Sequence, residues 1–185
     1  TVITLKKLSL NRPTSGQFAA IKRHIASIYT KYPHKDMIDI IINGELLHFK
    51  ELKVLSAPYW KTRNGEPVLW RKEISESFPK PGGGSYEVKG FIGILETMST
   101  DVDNGFLLFR RGRVIGSSYN DRYRPIELSG QPGSPRHKRI FGELYIEGFN
   151  VSFTKNSYQE DDNFKILIGL LHDKIAKDKT TDNYT

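Results

Sequence analysis

Turn-forming dipeptides divide most of this 185-residue chain into short, strand-like segments. Asn43-Gly44 and Asn64-Gly65 each separate two stretches rich in β-branched and aromatic residues, and Arg111-Gly112 bends a strand predicted over residues 106–115. An Asn-Gly pair in such a position is a strong signal for a two-residue β-hairpin. The sequence therefore predicts a sheet built largely from antiparallel pairs. Further strands are predicted over residues 2–8, 53–59, 68–77 and 86–96, and a strand pair over 139–153 that turns near Glu147-Gly148.

Two segments carry helical periodicity instead. Thr14 and Gln17 have the spacing of a capping box, and apolar residues then recur every three or four positions until Pro33. A second helix should begin near residues 161–163, whose side chains can cap it, with its apolar face formed by Phe164, Leu167, Ile168, Leu171 and Ile175. The predicted fold is α/β (α+β): a mixed, largely antiparallel sheet with two main helices packed on it.

The length and the 37% hydrophobic content suit one domain, which we place over residues 1–179. Within it, residues 80–85 form a flexible Gly/Pro loop around the run Gly82–Gly84, and residues 117–138 form a long basic loop. Residues 180–185 contain one apolar residue and should fray. The first residues lack a methionine, so we expect a piece of a longer protein.

Composition excludes several classes of protein and of site. Cysteine is absent, which removes disulfides and thiolate chemistry and fits a cytoplasmic location. The longest apolar runs fall far short of the roughly 20 residues that a membrane span needs. Five histidines are scattered without metal-ligand spacing, and no nucleophile elbow or Walker loop is found. We therefore predict no metal site and no membrane partner.

Positive charge is concentrated in one segment. The chain has a net charge of +7, and residues 110–139 hold eight Lys/Arg against two Asp/Glu. Such a segment can attract phosphate, nucleic acid or an acidic protein, although a solvated loop explains the same pattern. Interleaved aromatic residues could stack on bases. The candidate contact residues are Arg110, Arg111, Arg113, Arg122, Arg124, Arg136, Lys138 and Arg139.

Several stretches resemble the domain that follows the nucleotide lobe in bacterial MORC-like GHKL ATPases. The most specific pattern is Gly-Glu-Leu at 142–144, then Gly-Phe at 148–149, Val-Ser at 151–152 and Thr-Lys at 154–155. Further similarity covers residues 88–91, 105–115 and 123–125, with weaker similarity at 21–25 and 57–59.

The resemblance implies a transducer domain with the ribosomal-protein-like α/β fold of gyrase B and MutL. In that family the transducer lends a lysine to ATP in the preceding lobe, and here Lys155 matches that position. An ammonium group near the γ-phosphate would contact ATP and lose that contact after hydrolysis. Position alone equally fits a surface lysine at a strand end.

The same families place the magnesium-binding asparagine, the Asp-x-Gly-x-Gly motif and the glycine-rich lid in the nucleotide lobe, and none of these is found here. The resemblance therefore implies a chain that binds no cofactor alone and is no enzyme alone, while ATP and magnesium belong to the parent protein. Its expected partners are the N-terminal ATPase lobe of the same polypeptide and a second copy in a homodimer. The alternative hypothesis is a nucleic-acid-binding module that uses residues 110–139.

Overall fold

A computed structural model describes residues 4, 11–29, 39–47, 51–59, 64–100, 102–116, 122–153 and 157–176. The chain divides into two compact units, Thr1–Phe49 and Lys50–Thr185. Within the first unit, Lys22 of the helix forms an ion pair with Glu45 of the hairpin.

In the described part of the first unit, residues Ser15–Tyr29 form helix α1. Thr14 N–H donates to Oε1 of Gln17 at 2.9 Å, and Gln17 N–H donates to Oγ1 of Thr14 at 3.3 Å. These reciprocal bonds satisfy two backbone donors that the start of a helix leaves without partners. The predicted capping box is therefore confirmed.

The predicted hairpin at Asn43-Gly44 is also confirmed. Strands β1 (Ile41–Ile42) and β2 (Glu45–Leu46) pair antiparallel across it. The φ angles are 51° at Asn43 and 82° at Gly44, the left-handed values that a two-residue turn of this kind requires.

The second unit is built on a five-stranded sheet with the order β5-β6-β9-β7-β8. All neighbours are antiparallel except β7 and β9, which are parallel, so the predicted mixed, largely antiparallel α+β fold is confirmed. A separate two-stranded sheet joins β3 to β4. The elements are β3 (Ser56–Pro58), β4 (Pro67–Leu69), β5 (Arg71–Pro79), β6 (Ser85–Ile94), β7 (Gly105–Arg110), β8 (Arg113–Val114), α2 (Ile126–Ser129), α3 (Pro135–Arg139), β9 (Ile140–Glu147) and α4 (Asp162–Ala176).

Helix α4 shares a hydrophobic core with one face of this sheet and with α2. Phe164 N–H donates to Oδ1 of Asp161 at 3.0 Å, which confirms the predicted cap. All five residues of the predicted apolar face are buried. From the sheet, the core takes Ile74, Tyr86, Val88, Ile92, Phe106, Leu108, Ile140, Leu144 and Ile146.

Strands β6 and β9 approach each other too closely for side chains at two positions. A Cβ at Gly90 would lie 1.9 Å from the carbonyl oxygen of Glu143, and one at Gly142 would lie 2.3 Å from that of Phe91. Real Cβ atoms do not reach such distances, so glycine at both positions is what lets the centre of the sheet pair.

Two predicted connections take a different form in the structure. The predicted loop at 80–85 is a short hairpin turn between β5 and β6, because Lys80 N–H donates to Gly84 O at 3.1 Å and Ser85 already pairs with Pro79. The predicted loop at 117–138 contains α2, α3 and a bridge from Tyr123 to Phe106. Residues 117–121 lie outside the described part.

The strand pair predicted over 139–153 is wrong in its second half. Strand β9 ends at Glu147, and Val151 then pairs with Tyr158 instead of folding back on β9. Strand β9 pairs with β6 along one edge and with β7 along the other, so no edge remains for a returning strand.

Candidate functional site

The structure separates the predicted basic residues into two groups at opposite ends of β7. The hairpin cluster is Arg110, Arg111 and Arg113, where β7 ends and turns into β8. The strand-start cluster lies where β7 and its parallel neighbour β9 begin, and consists of Arg122, Arg124, Arg136, Lys138 and Arg139. At about 3.3 Å per residue, the six residues of β7 put roughly 17 Å between the two clusters.

In the hairpin cluster, Arg111 and Arg113 are exposed, whereas Arg110 is half-buried and its Nε is buried. Arg111 and Gly112 have φ angles of 49° and 79°, and Arg110 pairs with Arg113 across the turn. Arg111 N–H donates to Oε1 of Glu147 at 2.9 Å, which anchors the turn to the end of β9. Within the described ranges, no ion pair joins these three guanidinium groups to a carboxylate. The Glu147 carboxylate lies at this turn but accepts from the Arg111 backbone, so the three guanidinium groups form no ion pair in the described residues.

Lys155 lies outside the described residues, but the backbone on both sides of it is fixed. Val151 and Tyr158 form an antiparallel bridge, and Ser152 N–H donates to Ser157 O at 2.8 Å. A Cβ at Gly116, just beyond β8, would lie 3.2 Å from Cα of Ser157. Ser157 therefore lies beside Gly116, just beyond the β7–β8 hairpin.

Tyr158 ties this segment to the sheet. Its buried hydroxyl donates toward the carbonyl oxygens of Phe109 at 3.1 Å and Ile146 at 2.9 Å, near the ends of β7 and β9. Burial raises the pKa of Tyr158 well above its ordinary value, and Glu147 raises it further while Arg110 lowers it. The hydroxyl thus stays protonated and keeps donating at physiological pH.

Most of the strand-start cluster is packed against the protein, with Arg136 as its exposed member. Arg122 is only 7% exposed. A Cβ at Gly105 would lie 2.8 Å from Cγ of Arg124 and 2.9 Å from Cβ of Arg122, so both side-chain stems cross the start of β7. Nη1 of Arg124 donates to Arg122 O at 3.2 Å. The absence of a side chain at Gly105 makes room for both arginines.

Helix α3 supplies the other half of this cluster. Ser134 caps it by accepting from His137 N–H at 3.1 Å, and Nδ2 of the fully buried Asn104 donates to His137 O at 2.7 Å. These bonds fix α3 against the start of β7. Burial lowers the pKa of His137, and the neighbouring charges of Arg124 and Lys138 lower it further, so its ring is neutral at physiological pH.

Two cavities open beside the strand-start cluster. One, of about 750 Å³, is lined by Arg122, Arg124, Tyr123, Glu160 and residues of α4. Burial raises the pKa of Tyr123, and Glu160 raises it further. The other, of about 370 Å³, has apolar walls and takes Arg136 and Arg139 into its lining. Half of the predicted contact residues therefore line concave sites.

Sequence reasoning missed two side chains that organise these sites. Tyr158 carried no signal beyond its aromatic ring, and Asn104 looked like an ordinary turn residue in Asp103-Asn104-Gly105. Only the tertiary structure shows that both are buried and bonded to backbone carbonyls from distant segments.

No protein-family model matches the chain, and a search of curated proteins also finds no match. Among the described residues, no group of three or more His, Asp or Glu side chains is placed to hold a metal ion. None of the helices described has both the length and the apolar character needed to cross a membrane.

Proposed function

We propose that this chain is the transducer module of a GHKL-type ATPase, in which Lys155 contacts the γ-phosphate of ATP bound in a neighbouring lobe. The observation that carries the proposal is the fixed backbone on both sides of Lys155, at the end of the sheet that also holds the hairpin cluster. Positive charge from Lys155, added to that of Arg110, Arg111 and Arg113, would suit a ligand with several negative charges.

The mechanism follows from this placement. The ammonium of Lys155 stabilises negative charge on the γ-phosphate, and the contact weakens when that phosphate leaves. Because Tyr158 bonds the returning segment to β7 and β9, a displacement of Lys155 pulls on the sheet. Nucleotide state is thereby converted into a change of angle between the lobe and this unit.

The described residues fit a phosphate better than a metal ion. No guanidinium group of the hairpin cluster forms an ion pair with a carboxylate in the described ranges, and no group of acidic or histidine ligands is found there. Magnesium would therefore be held by the lobe and the triphosphate, with this chain adding only positive charge. Homodimerisation of the parent protein belongs to the same proposal.

The first test is Mg-ATP binding by this chain alone, measured by calorimetry together with phosphate release. We expect neither, because the adenine-binding and metal-binding parts lie in the lobe. Clear binding or turnover would mean a complete nucleotide site in this chain and would overturn the proposal.

The second test places Lys155→Ala in the chain joined to its ATPase lobe. We expect phosphate release to fall more than tenfold, whereas Lys89→Ala should leave it unchanged. Lys89 is a suitable control because it is an exposed lysine on β6 whose only described ion pair is a 3.5 Å contact to Glu87. Equal turnover in the two variants would reject the role of Lys155.

Nucleic-acid binding is a second candidate, favoured by the exposed arginines of the hairpin cluster. Phosphate contacts release counterions, so the logarithm of affinity should fall linearly with the logarithm of salt concentration. Replacing Arg111 and Arg113 with alanine should reduce the slope by about 2 for duplex DNA. A duplex that fails to bind the unmodified chain at low salt would exclude this candidate.

A further inference from the structure

The apolar cavity beside α3 is continuous with the main hydrophobic core. Its floor includes Ile92, Ile140 and Ile175, which are 2%, 6% and 5% exposed and all belong to that core. Leu55 and Ile94 add partly buried aliphatic surface. The volume of about 370 Å³ falls within the range of about 300–1,000 Å³ found for small-molecule sites.

Among the described residues that line this cavity, Arg136 and Arg139 are the charged ones. They are three positions apart on α3 and so project to the same side of the helix. In the described part of the chain, no Asp or Glu lines the cavity and no ion pair joins either arginine to a carboxylate. The positive charges of Arg136 and Arg139 are therefore not paired with a carboxylate among the described residues.

Both guanidinium groups retain bonding capacity. Nη2 of Arg136 donates to the backbone oxygen of Glu127 at 3.2 Å, which leaves its other donors available. Nε of Arg139 is buried and has no hydrogen-bond partner in the described part of the chain.

We propose that this cavity binds a small amphiphilic carboxylate, with its aliphatic chain against Ile92, Ile140 and Ile175 and its carboxylate held by Arg136 and Arg139. A carboxylate matches the fork of a guanidinium and forms charge-assisted bonds with it. The aliphatic part is required because the cavity walls are isoleucine and leucine, with no aromatic ring to stack on a base. The inference is independent of the proposed ATPase role, since neither Lys155 nor the hairpin cluster lines this cavity.

The test is a titration of the chain with isoleucine methyl groups labelled for NMR, using decanoate below its micellar concentration. We expect saturable shifts at Ile92, Ile94, Ile140 and Ile175, and smaller changes at Ile41 and Ile42 of the first unit. Decanol, which has the chain without the charge, should bind at least tenfold more weakly. Acetate, which has the charge without the chain, should cause no saturable shift.

Two variants separate the contributions of charge and cavity. Arg136→Gln with Arg139→Gln should weaken decanoate binding at least tenfold, while Lys138→Gln should not change it. Lys138 is a matched control because it lies between the two arginines on α3 and is absent from the cavity lining. Leu55→Trp adds bulk at the cavity wall and should abolish the shifts, and it tests the site even if the double variant fails to fold.

The proposal is overturned if decanoate leaves these methyl groups unshifted. It is also overturned if decanol binds as tightly as decanoate, or if the double glutamine variant binds normally, because the arginines would then have no role. Binding of an acidic peptide without binding of decanoate would identify a protein surface instead of a small-molecule site.

Discussion

The two ends of β7 carry the same kind of residue in opposite surroundings. In the hairpin cluster, Arg111 and Arg113 are exposed at a two-residue turn whose backbone is bonded to the Glu147 carboxylate. In the strand-start cluster, the stems of Arg122 and Arg124 pass over Gly105, and the four arginines line two cavities. An exposed cation attracts large polyanions through long-range electrostatics. A cation at the edge of an apolar cavity instead favours a small ligand whose shape fits that cavity.

The largest effect should come from Gly105→Ala, which breaks the strand-start cluster and leaves the hairpin cluster intact. The new Cβ meets the stems of Arg122 and Arg124 below 3 Å, and the φ angle of 94° is strained for alanine. We expect a loss of about 3 kcal/mol in the free energy of unfolding, measured by urea denaturation.

Gly133→Ala is the matched control for this change. Gly133 also has a positive φ angle, 84°, but a Cβ there meets nothing within 4 Å. The strain alone should cost about 1 kcal/mol. Equal losses in the two variants would show that contact with the arginines is unimportant.

Tyr158→Phe should give the next largest effect and acts on the other end of β7. Removing the hydroxyl deprives Phe109 O and Ile146 O of a buried donor, which should cost about 1–2 kcal/mol. Tyr145→Phe is the control and should cost less than about 0.5 kcal/mol, because its hydroxyl lies 3.5 Å from Glu143 at a half-buried site.

The Tyr158→Phe variant should also change how stability depends on alkaline pH. Burial raises the pKa of Tyr158 above the value of about 10 in an unfolded chain, so unfolding releases protons at high pH. The stability from the neutral hydroxyl is therefore present below pH of about 10 and lost as pH rises further. The phenylalanine variant should lose less stability over this range. Burial also raises the pKa of Tyr145 to about 12. The Tyr158→Phe variant keeps Tyr145 and should therefore still lose the stability that depends on its neutral hydroxyl.

The smallest effect should appear at acidic pH and belongs to the strand-start cluster alone. The folded pKa of His137 lies below the unfolded value of about 6.5, because burial and then Arg124 and Lys138 disfavour its charged form. The unfolded chain binds more protons, so stability should fall as pH drops below about 6.5. His137→Asn should flatten this slope in thermal unfolding curves. A slope unchanged in the variant would place the dependence on other groups.

Local signals in the sequence predicted local structure. The capping box at Thr14 and Gln17, the turn at Asn43-Gly44 and the apolar face of α4 each depend on residues within a few positions of one another. The sheet order was not predictable in this way, because the pairing of β9 with both β6 and β7 joins segments far apart in sequence.

The candidate site shows the same limit. Along the sequence, the charges form one basic segment over residues 110–139. Charge density alone does not show which end of β7 each arginine lies at, so the two clusters could not be predicted. The buried partners that shape the two clusters, Asn104 and Tyr158, gain their roles from carbonyls of distant strands. Lys155 was identified by resemblance alone, and its role stays a prediction.

The central position of β9 bears on how the chain is made. A ribosome synthesises β5, β6 and β7 well before residues 140–147, yet β6 and β7 have no pairing with each other and await the strand that fits between them. A nascent chain that pauses before Ile140 therefore exposes two open strand edges and the apolar residues later covered by α4. Such an intermediate is a natural client for chaperones, and the interval before β9 emerges is the period in which this protein is most prone to aggregate.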